Sequence, residues 1–301
     1  MTIFGFGAGY SVKAFAAANP GETDITGTTR SAEKFAALEQ AGIRPLVFDG
    51  TTITQSIANA LAITTHLIVS IAPGDTGDPV LRAAASHLRT MPSLQWIGYL
   101  STVGVYGDHQ GDWVDEDGAC RPVSRRSVAR LEAEQQWQAL AVEISCPLAI
   151  LRLSGIYGPG RNALVNVANG TARRLIKPDQ VFNRIHCDDI AGALWHLVKK
   201  NEGGIFNVTD DLPAPPQDVV AYAAACMGVE APPEIDFATA ELSPMARSFY
   251  GENKRVSNAQ IKAAGYQFRY PDYQTALDHM WQEETWRGTG TTDSRSPMRP
   301  G

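Results

Sequence analysis

The sequence predicts an α/β protein in which a parallel sheet is covered by helices on both faces. Short apolar runs such as TIFGF (2–6) and HLIVSIA (66–72) are typical of buried strands. Stretches with helical periodicity stand between these runs, and turn residues separate the two kinds of segment. Strands that alternate with helices need crossover connections, and crossovers place the strands side by side in one direction.

The elements of the first half follow one another in a regular order. The predicted strands are TIFGF (2–6), TDITGTT (23–29), RPLVF (44–48), HLIVSIA (66–72), LQWIGYL (94–100) and LAILRLSGIYG (148–158). The predicted helices cover residues 10–19, 31–42, 53–62, 79–89 and 124–142. Val12, Phe15 and Ala16 share one face of the first helix, so this face is expected to pack on the sheet. Gly42 ends the second helix.

The regular alternation weakens after residue 155, and a smaller second lobe is expected there. We expect residues 1–155 to form the sheet domain, with 184–211 returning to it as a helix and a last strand. Residues 156–183 and 212–285 are then the smaller lobe. The tail, 286–301, is rich in glycine, serine and proline and is expected to be disordered.

Composition and charge exclude several classes of function. The formal net charge is -6, from 26 basic and 32 acidic residues, and a nucleic-acid partner would need a basic excess. The four cysteines form no CxxC pair, so neither a metal site nor a disulfide framework is predicted. No run approaches about 18 apolar residues, so no membrane partner is expected. We expect a cytoplasmic protein that acts on a small molecule.

A glycine-rich turn, GFGAGYS, stands between the first strand and the first helix. Gly5 and Gly7 match the first two glycines of GxGxxG, and the third position falls at Tyr10, just after Gly9. Such glycines let the backbone approach a pyrophosphate, which rests on the helix N-terminus together with residues such as Ser11. The position of the turn predicts dinucleotide binding, and the alternative is a tight turn alone.

The end of the second strand bears on the choice of dinucleotide. A carboxylate at this point would hold the ribose hydroxyls of NAD, but the sequence offers Thr29, Arg30 and Ser31. A guanidinium and hydroxyls suit a 2′-phosphate, so NADP is favoured over NAD. In the alternative, Arg30 is only a solvated turn residue.

Two later strand ends are expected at the same edge of the sheet. Asp49 follows the third strand, where its carboxylate could accept a hydrogen bond from the adenine amino group. The residues that follow the fourth strand are expected to line the dinucleotide, and they are Ser70, Ile71, Ala72 and Pro73.

Further motifs resemble a known family. LSTVGVYGD (100–108), LRLSGIYGPG (151–160), RIHCDDIAGAL (184–194) and IFNVTDD (205–211) are similar to landmarks of extended short-chain dehydrogenases/reductases, which include nucleotide-sugar epimerases and dehydratases. The likeness covers about residues 1–285 and is strongest to atypical members. It implies a Rossmann-type doubly wound sheet with a smaller C-terminal substrate lobe.

The resemblance also implies catalytic positions. The family uses a Ser or Thr, which here is Thr102, and a YxxxK pair on the following helix. This chain has Arg126 and Arg130 where that pair is expected, and it contains no tyrosine between residues 107 and 156. The tyrosine of VYG, Tyr106, is expected near the substrate.

The two arginines limit the chemistry of the predicted site. Arginine stays protonated and only donates hydrogen bonds, so Arg130 could replace the lysine as a ribose ligand. Arg126 cannot replace a tyrosine as acid or base near pH 7, although it could hold an anionic group or stabilise an oxyanion. Alternatively, both arginines only decorate the helix surface.

The resemblance assigns several further residues. Ser101 and Ser154 are expected to line the cofactor, and Arg161 and Arg184 to hold an anionic substrate. The leading hypothesis is an NADP-dependent oxidoreductase that transfers hydride on a small or nucleotide-linked carbonyl or alcohol. Two alternatives remain, namely an inactive NADP-binding redox sensor or regulator, and a nucleotide-sugar epimerase or dehydratase. Either a monomer or a homodimer is expected.

Overall fold

The computed structural model describes residues 1–288, apart from the side chains of residues 244–246. The strands are β1 (Thr2–Phe6), β2 (Asp24–Thr29), β3 (Ile43–Val47), β4 (His66–Val69), β5 (Trp96–Thr102), β6 (Trp113–Val114), β7 (Leu148–Leu153), β8 (Gly155–Tyr157), β9 (Arg174–Ile176), β10 (Arg184–His186), β11 (Gly204–Val208), β12 (Glu234–Asp236) and β13 (Arg255–Val256).

Helices connect most of these strands. They are α1 (Tyr10–Ala18), α2 (Phe35–Glu39), α3 (Gln55–Ala62), α4 (Pro79–Leu88), α5 (Arg125–Glu143), α6 (Ala163–Ala168), α7 (Cys187–Lys200), α8 (Pro216–Cys226), α9 (Pro244–Phe249), α10 (Ala259–Ala263) and α11 (Tyr273–Gln282). None of the helices within residues 1–288 is both long and apolar enough to span a membrane.

A seven-stranded parallel sheet forms the centre of the molecule, in the order β11-β7-β5-β4-β1-β2-β3. All of its neighbouring strands are parallel, as the sequence predicts. The chain runs outward from β1 to β3 and then returns to place β4 on the other side of β1. This reversal between β1 and β4 is the switch point of a Rossmann-like sheet, where ligands bind at the carboxyl ends of the strands.

Helices cover both faces of the sheet, and its central strands β1, β4, β5 and β7 are almost completely buried. On one face, α1 and α7 pack together and contribute Phe15 and Leu194 to the core. On the other face, α3, α4 and α5 contribute side chains such as Leu61, Val80 and Trp137. Two separate cores therefore hold the sheet between two layers of helices.

Smaller elements gather beyond the carboxyl edge of the sheet. The parallel pairs β8–β10 and β9–β12 stand apart from the central sheet. A third core lies among α6, α8 and α11 and includes Tyr157, Leu164 and Met280. These elements face the strand ends at which a ligand site is expected.

The predicted disordered tail is wrong at its first residues. Trp286 is buried in the third core, and its ring centroid lies 5.7 Å from that of Trp281. The backbone N–H of Gly160 donates to the Trp286 carbonyl at 2.8 Å. A long-range contact of this kind is not visible in local composition. Residues 289–301 of the predicted tail lie outside the described residues.

A buried ion pair attaches α5 to the sheet. Arg152 of β7 and Glu134 of α5 lie 2.8 Å apart, and both side chains are almost completely buried. The Ser101 hydroxyl of β5 donates to the same carboxylate. Arg152 also donates to the Tyr106 hydroxyl at 2.9 Å, and that hydroxyl donates to Asn207 Oδ1 at 2.8 Å. The network thus connects α5 to three strands of the sheet.

Removal of one member of this pair should destabilise the fold strongly. Glu134→Ala leaves a buried guanidinium without its counter-charge, and we expect a loss of about 3–5 kcal/mol in the free energy of unfolding. Urea denaturation measures this loss. The matched control is Glu143→Ala, which removes an equally close but solvent-exposed partner of Arg89 and should barely move the urea midpoint. Equal effects in the two variants would contradict the prediction.

Candidate functional site

The turn after β1 requires a glycine. Gly7 has a φ of 88°, in the left-handed region that side chains rarely adopt. A Cβ on Gly7 would also lie 2.8 Å from Cγ1 of Ile71. The N–H of Gly7 donates to Thr28 Oγ1 at 2.8 Å, which holds the turn against the end of β2. The backbone therefore turns sharply at the switch point between β1 and β4.

The N-terminus of α1 is open behind this turn. Gly9 is the N-cap residue, and no side chain accepts a hydrogen bond from the first-turn amides. Gly9 is exposed, and a Cβ on it would meet no atom closer than 3.9 Å. The first amide groups of a helix have no intrahelical partner and carry a partial positive charge. Tyr10 and Ser11, the first residues of α1, thus present amides that suit a phosphate group.

The glycine motif lies two residues later than the sequence analysis placed it. Gly5 is inside β1, while Gly7 forms the tight turn and Gly9 opens the helix. The third position, which packs the helix on the strand, is therefore Val12 and not Tyr10. A Cβ on Gly5 would lie 3.3 Å from Cγ1 of Val12. Because Gly5 has no side chain, Val12 fits where helix α1 packs on strand β1. The small residue of this contact is therefore on the strand, whereas the third glycine of GxGxxG is on the helix.

The predicted 2′-phosphate contacts lie at the carboxyl end of β2. Arg30 is exposed, and its guanidinium forms no hydrogen bond or ion pair within residues 1–288. Ser31 accepts a hydrogen bond from the Glu33 N–H at 3.3 Å. Thr29 ends the strand and is half-buried. A free guanidinium beside two hydroxyls is a suitable environment for a phosphate group.

The predicted contacts after β3 and β4 lie on either side of the glycine turn. Asp49 accepts hydrogen bonds from the N–H groups of Thr51 and Thr52, at 2.8 and 3.0 Å, and these lower the pKa of its carboxyl. In the segment Ser70–Pro73, the Ser70 N–H donates to the Phe6 carbonyl, and Ile71 touches the turn. The structure therefore brings these residues to one edge of the sheet.

The three residues predicted from the catalytic motif differ in their surroundings. Thr102 ends β5, is half-buried and accepts a hydrogen bond from the Gly104 N–H at 3.1 Å. Arg130 donates to the Leu100 carbonyl at 2.8 Å and to the Tyr99 hydroxyl at 3.2 Å. Arg126 is exposed and has no hydrogen-bond or ion-pair partner among the described residues. One arginine is thus fixed to the sheet, and the other is free.

Three predicted site residues have buried side chains. Tyr106 is 0% exposed in the ion-pair network, and burial raises its pKa to about 12, so it cannot act as a base near pH 7. Ser101 is buried in the same network against Glu134. Ser154 is buried beside the Val208 carbonyl. Their side chains point into the packed interior, so the predicted roles of these three residues receive no support from side-chain exposure and stay predictions.

Two buried polar residues beside predicted site residues were not identified by the sequence analysis. Asp78 caps α4 through a hydrogen bond from the Val80 N–H at 2.8 Å, and it accepts another from Trp137 Nε1 at 3.0 Å. Ser127 is buried next to Gly104, where an added Cβ would lie 2.9 Å from its Oγ. The sequence DP at 78–79 is a signal for a helix start and could have identified the cap.

The two arginines predicted to bind an anionic substrate are not equivalent. Nη1 of Arg184 donates to the carbonyls of Phe182 and Ala214, at 2.9 and 3.1 Å, and its guanidinium lies over the Tyr273 ring. Burial lowers the pKa of Arg184. Arg161 is exposed on the turn after β8, and its side chain has no bonded partner within the described chain. Arg184 therefore binds the backbone of its own lobe, whereas Arg161 remains available.

A buried carboxyl stands beside Arg184. Asp210 is 1% exposed, and only one of its oxygens has a partner, the Leu212 N–H at 3.2 Å. Burial raises the pKa of Asp210 to about 8, although the Arg184 charge opposes this rise. In the folded protein, the carboxyl of Asp210 is therefore mostly protonated below about pH 8.

The raised pKa of Asp210 predicts a pH-dependent stability. Unfolded aspartate has a pKa of about 3.9, so between about pH 4 and pH 8 the folded protein holds a proton that the unfolded chain releases. The free energy of unfolding should fall as pH rises through this window. In Asp210→Asn, the fall between pH 5 and pH 8 should be smaller by on the order of 1–3 kcal/mol. Urea denaturation across this range tests the change, and the surface variant Asp75→Asn, at a side chain that is 85% exposed, should keep the wild-type dependence.

Comparisons with known proteins place the chain among relatives. A model of the NAD dependent epimerase/dehydratase family matches residues 79–209. A conserved protein of unknown function from Silicibacter pomeroyi has 43% sequence identity and a TM-score of 0.85, and the match covers 94% of this chain and 99% of that chain. No curated protein matches.

Two more distant structures share the fold. The human epimerase family protein SDR39U1, solved with NADPH, has 18% identity and a TM-score of 0.70 over 94% of this chain and 99% of that chain. UDP-glucuronic acid 4-epimerase from Bacillus cereus, solved with NAD, has 15% identity and a TM-score of 0.70 over 94% and 98% of the two chains.

The family match covers the elements that carry the predicted catalytic positions, because α4, β5, α5 and β7 all lie within it. The 43% identical relative extends the likeness along nearly the whole length of both chains. The chain therefore belongs to the NAD-dependent epimerase/dehydratase family.

Proposed function

We propose that this protein binds NADP(H) and acts as an oxidoreductase on a small or nucleotide-linked carbonyl or alcohol. The observation that carries the proposal is the open N-terminus of α1 behind Gly7 and Gly9, at the switch point of the sheet. Amide groups without partners at this place suit the phosphates of a dinucleotide. Membership of the family supports the same cofactor class.

The choice of NADP over NAD rests on the end of β2. The distant relatives do not decide it, since one was solved with NADPH and another with NAD. In this chain, residues 28–32 contain no carboxylate, and Arg30 has a free, exposed guanidinium. A guanidinium attracts a 2′-phosphate, and it offers no acceptor for ribose hydroxyls.

The chain's own groups would orient the substrate and stabilise the negative charge that develops on its oxygen. A bound nicotinamide supplies or accepts the hydride. The Thr102 hydroxyl, which accepts from the Gly104 N–H, keeps its own proton free to donate to a substrate oxygen. Arg126 has no bonded partner in residues 1–288 and could hold either water or an anionic group, while Arg130 orients the cofactor side of the site. Water is then the source of the proton.

A second candidate is an NADP-binding sensor or regulator without turnover. The Arg130 guanidinium is bonded to Leu100 and Tyr99, so it is partly occupied by the sheet itself. No tyrosine is available on α5 to transfer a proton. A nucleotide-sugar epimerase or dehydratase depends most on that missing group and ranks third.

Binding of the two dinucleotides tests the cofactor proposal. We expect NADPH to bind more tightly than NADH, as followed by nicotinamide fluorescence. Arg30→Ala should weaken the binding of NADPH by roughly tenfold or more, because a charge-assisted hydrogen bond is lost. The same variant should leave the affinity for NADH unchanged. Arg44→Ala, which removes an exposed arginine paired with Asp24, is the matched control. Tighter binding of NADH would reverse the assignment of Arg30.

Turnover separates the enzyme from the sensor. NADPH consumption is measured against a broad panel of carbonyl compounds. With an active substrate, Thr102→Ala should lower kcat by about 10²-fold with little change in NADPH affinity, and Thr102→Ser should retain activity. Arg126→Ala should also lower turnover, whereas its neighbour Arg125→Ala, which removes an exposed partner of Asp75, should not. Tight NADPH binding with no turnover across the panel would favour the sensor.

A further inference from the structure

The turn that follows β8 lies directly against the first residue of α1. Within this turn, the Gly158 N–H donates to the Arg161 carbonyl at 3.0 Å, and the Arg161 N–H donates back to the Gly158 carbonyl at 2.9 Å. The Tyr10 hydroxyl of α1 donates to the Pro159 carbonyl at 3.0 Å. The backbone of Arg161 is therefore held two residues from Pro159, which contacts the side chain of the first residue of α1.

The turn is fixed in this place by further contacts. Nδ2 of Asn162 donates to the carbonyls of Gly158 and Trp286, both at 2.8 Å. A Cβ on Gly158 would lie 2.6 Å from the Tyr10 hydroxyl and 2.6 Å from Cys187 Sγ, so the turn packs closely on α1 and α7. A side chain carried by this turn thus starts from a rigid base.

Arg161 carries the free charge beside this helix end. Arg161 is exposed, and its backbone is bonded to Gly158, next to the Pro159 carbonyl that accepts from the Tyr10 hydroxyl. Burial raises the pKa of Tyr10, and the Arg161 charge opposes this rise. Asp188 is the carboxylate in the same neighbourhood, but it pairs with Arg269 at 3.4 Å. The first turn of α1 contains no acidic residue. A nearby anion would therefore meet one unpaired cation.

The charge of a dinucleotide requires such a cation. A helix N-terminus supplies the equivalent of only about half a positive charge, whereas a diphosphate carries about two negative charges. The Arg30 guanidinium lies at the end of β2 and serves the ribose end of the site in the proposal above. A second guanidinium near Tyr10 would balance the diphosphate itself.

We propose that Arg161 is a ligand of the cofactor diphosphate, and not a substrate residue as the sequence analysis favoured. This inference rests on the proposed dinucleotide function. The turn after β8 then supplies a contact from beyond the central sheet, opposite the amides of α1. Binding of the diphosphate thereby joins α1 to the smaller elements at the sheet edge.

A crossed binding experiment tests this assignment. The probes are NADPH, ADP-ribose, which has the diphosphate but no 2′-phosphate, and adenosine 2′-monophosphate, which has only the 2′-phosphate. Arg161→Ala should weaken the binding of NADPH and ADP-ribose by about tenfold or more and leave the binding of adenosine 2′-monophosphate unchanged. Arg161→Lys should recover part of the loss. Arg30→Ala should weaken the binding of adenosine 2′-monophosphate and leave that of ADP-ribose unchanged.

The outcomes distinguish this inference from the function on which it rests. If the wild-type protein binds none of the three probes, the dinucleotide proposal itself fails. If the wild type binds ADP-ribose and Arg161→Ala binds it equally well, only the assignment of Arg161 is overturned. A rise in substrate KM without a change in ADP-ribose affinity would return Arg161 to the substrate side. Because the Arg161 side chain is exposed, the variant should keep the wild-type Tm.

Discussion

The buried pairing of Arg152 with Glu134 determines where the predicted catalytic positions stand. The carboxylate accepts a hydrogen bond from Ser101 of β5, and the guanidinium donates to the Tyr106 hydroxyl, which in turn donates to Asn207 of β11. Isolated charges this deep would cost several kcal/mol each, so every member of the network depends on the others. Helix α5 is therefore held in one rotation about its own axis. This rotation fixes the direction in which each of its side chains points.

That rotation gives the two arginines of α5 different roles. Arg130 lies one turn before Glu134 and is drawn to the carbonyl of Leu100, while Arg126 lies a further turn away and faces solvent. Both side chains end in a guanidinium, which donates hydrogen bonds and accepts none. In the proposed site, this side could therefore stabilise negative charge, but a proton would have to come from elsewhere.

The fold could be predicted from the sequence more fully than the site. Alternating strands and helices gave the parallel sheet, and the long helix expected at 124–142 is Arg125–Glu143. The site was harder because a side chain's direction depends on contacts with distant elements. Tyr106 stands beside Thr102 in the motif, yet it points into the interior. The burial of Trp286 depends on a turn more than 120 residues earlier in the chain, which no local pattern reveals.

The exchange of sizes between Gly5 and Val12 has a practical consequence for recognising such proteins. Where α1 packs on β1, the space limits the combined volume of the two facing side chains, so either the strand residue or the helix residue can be the small one. A motif search that insists on three glycines in the loop will overlook chains that satisfy this limit from the strand. A search that scores the two positions jointly would recover them.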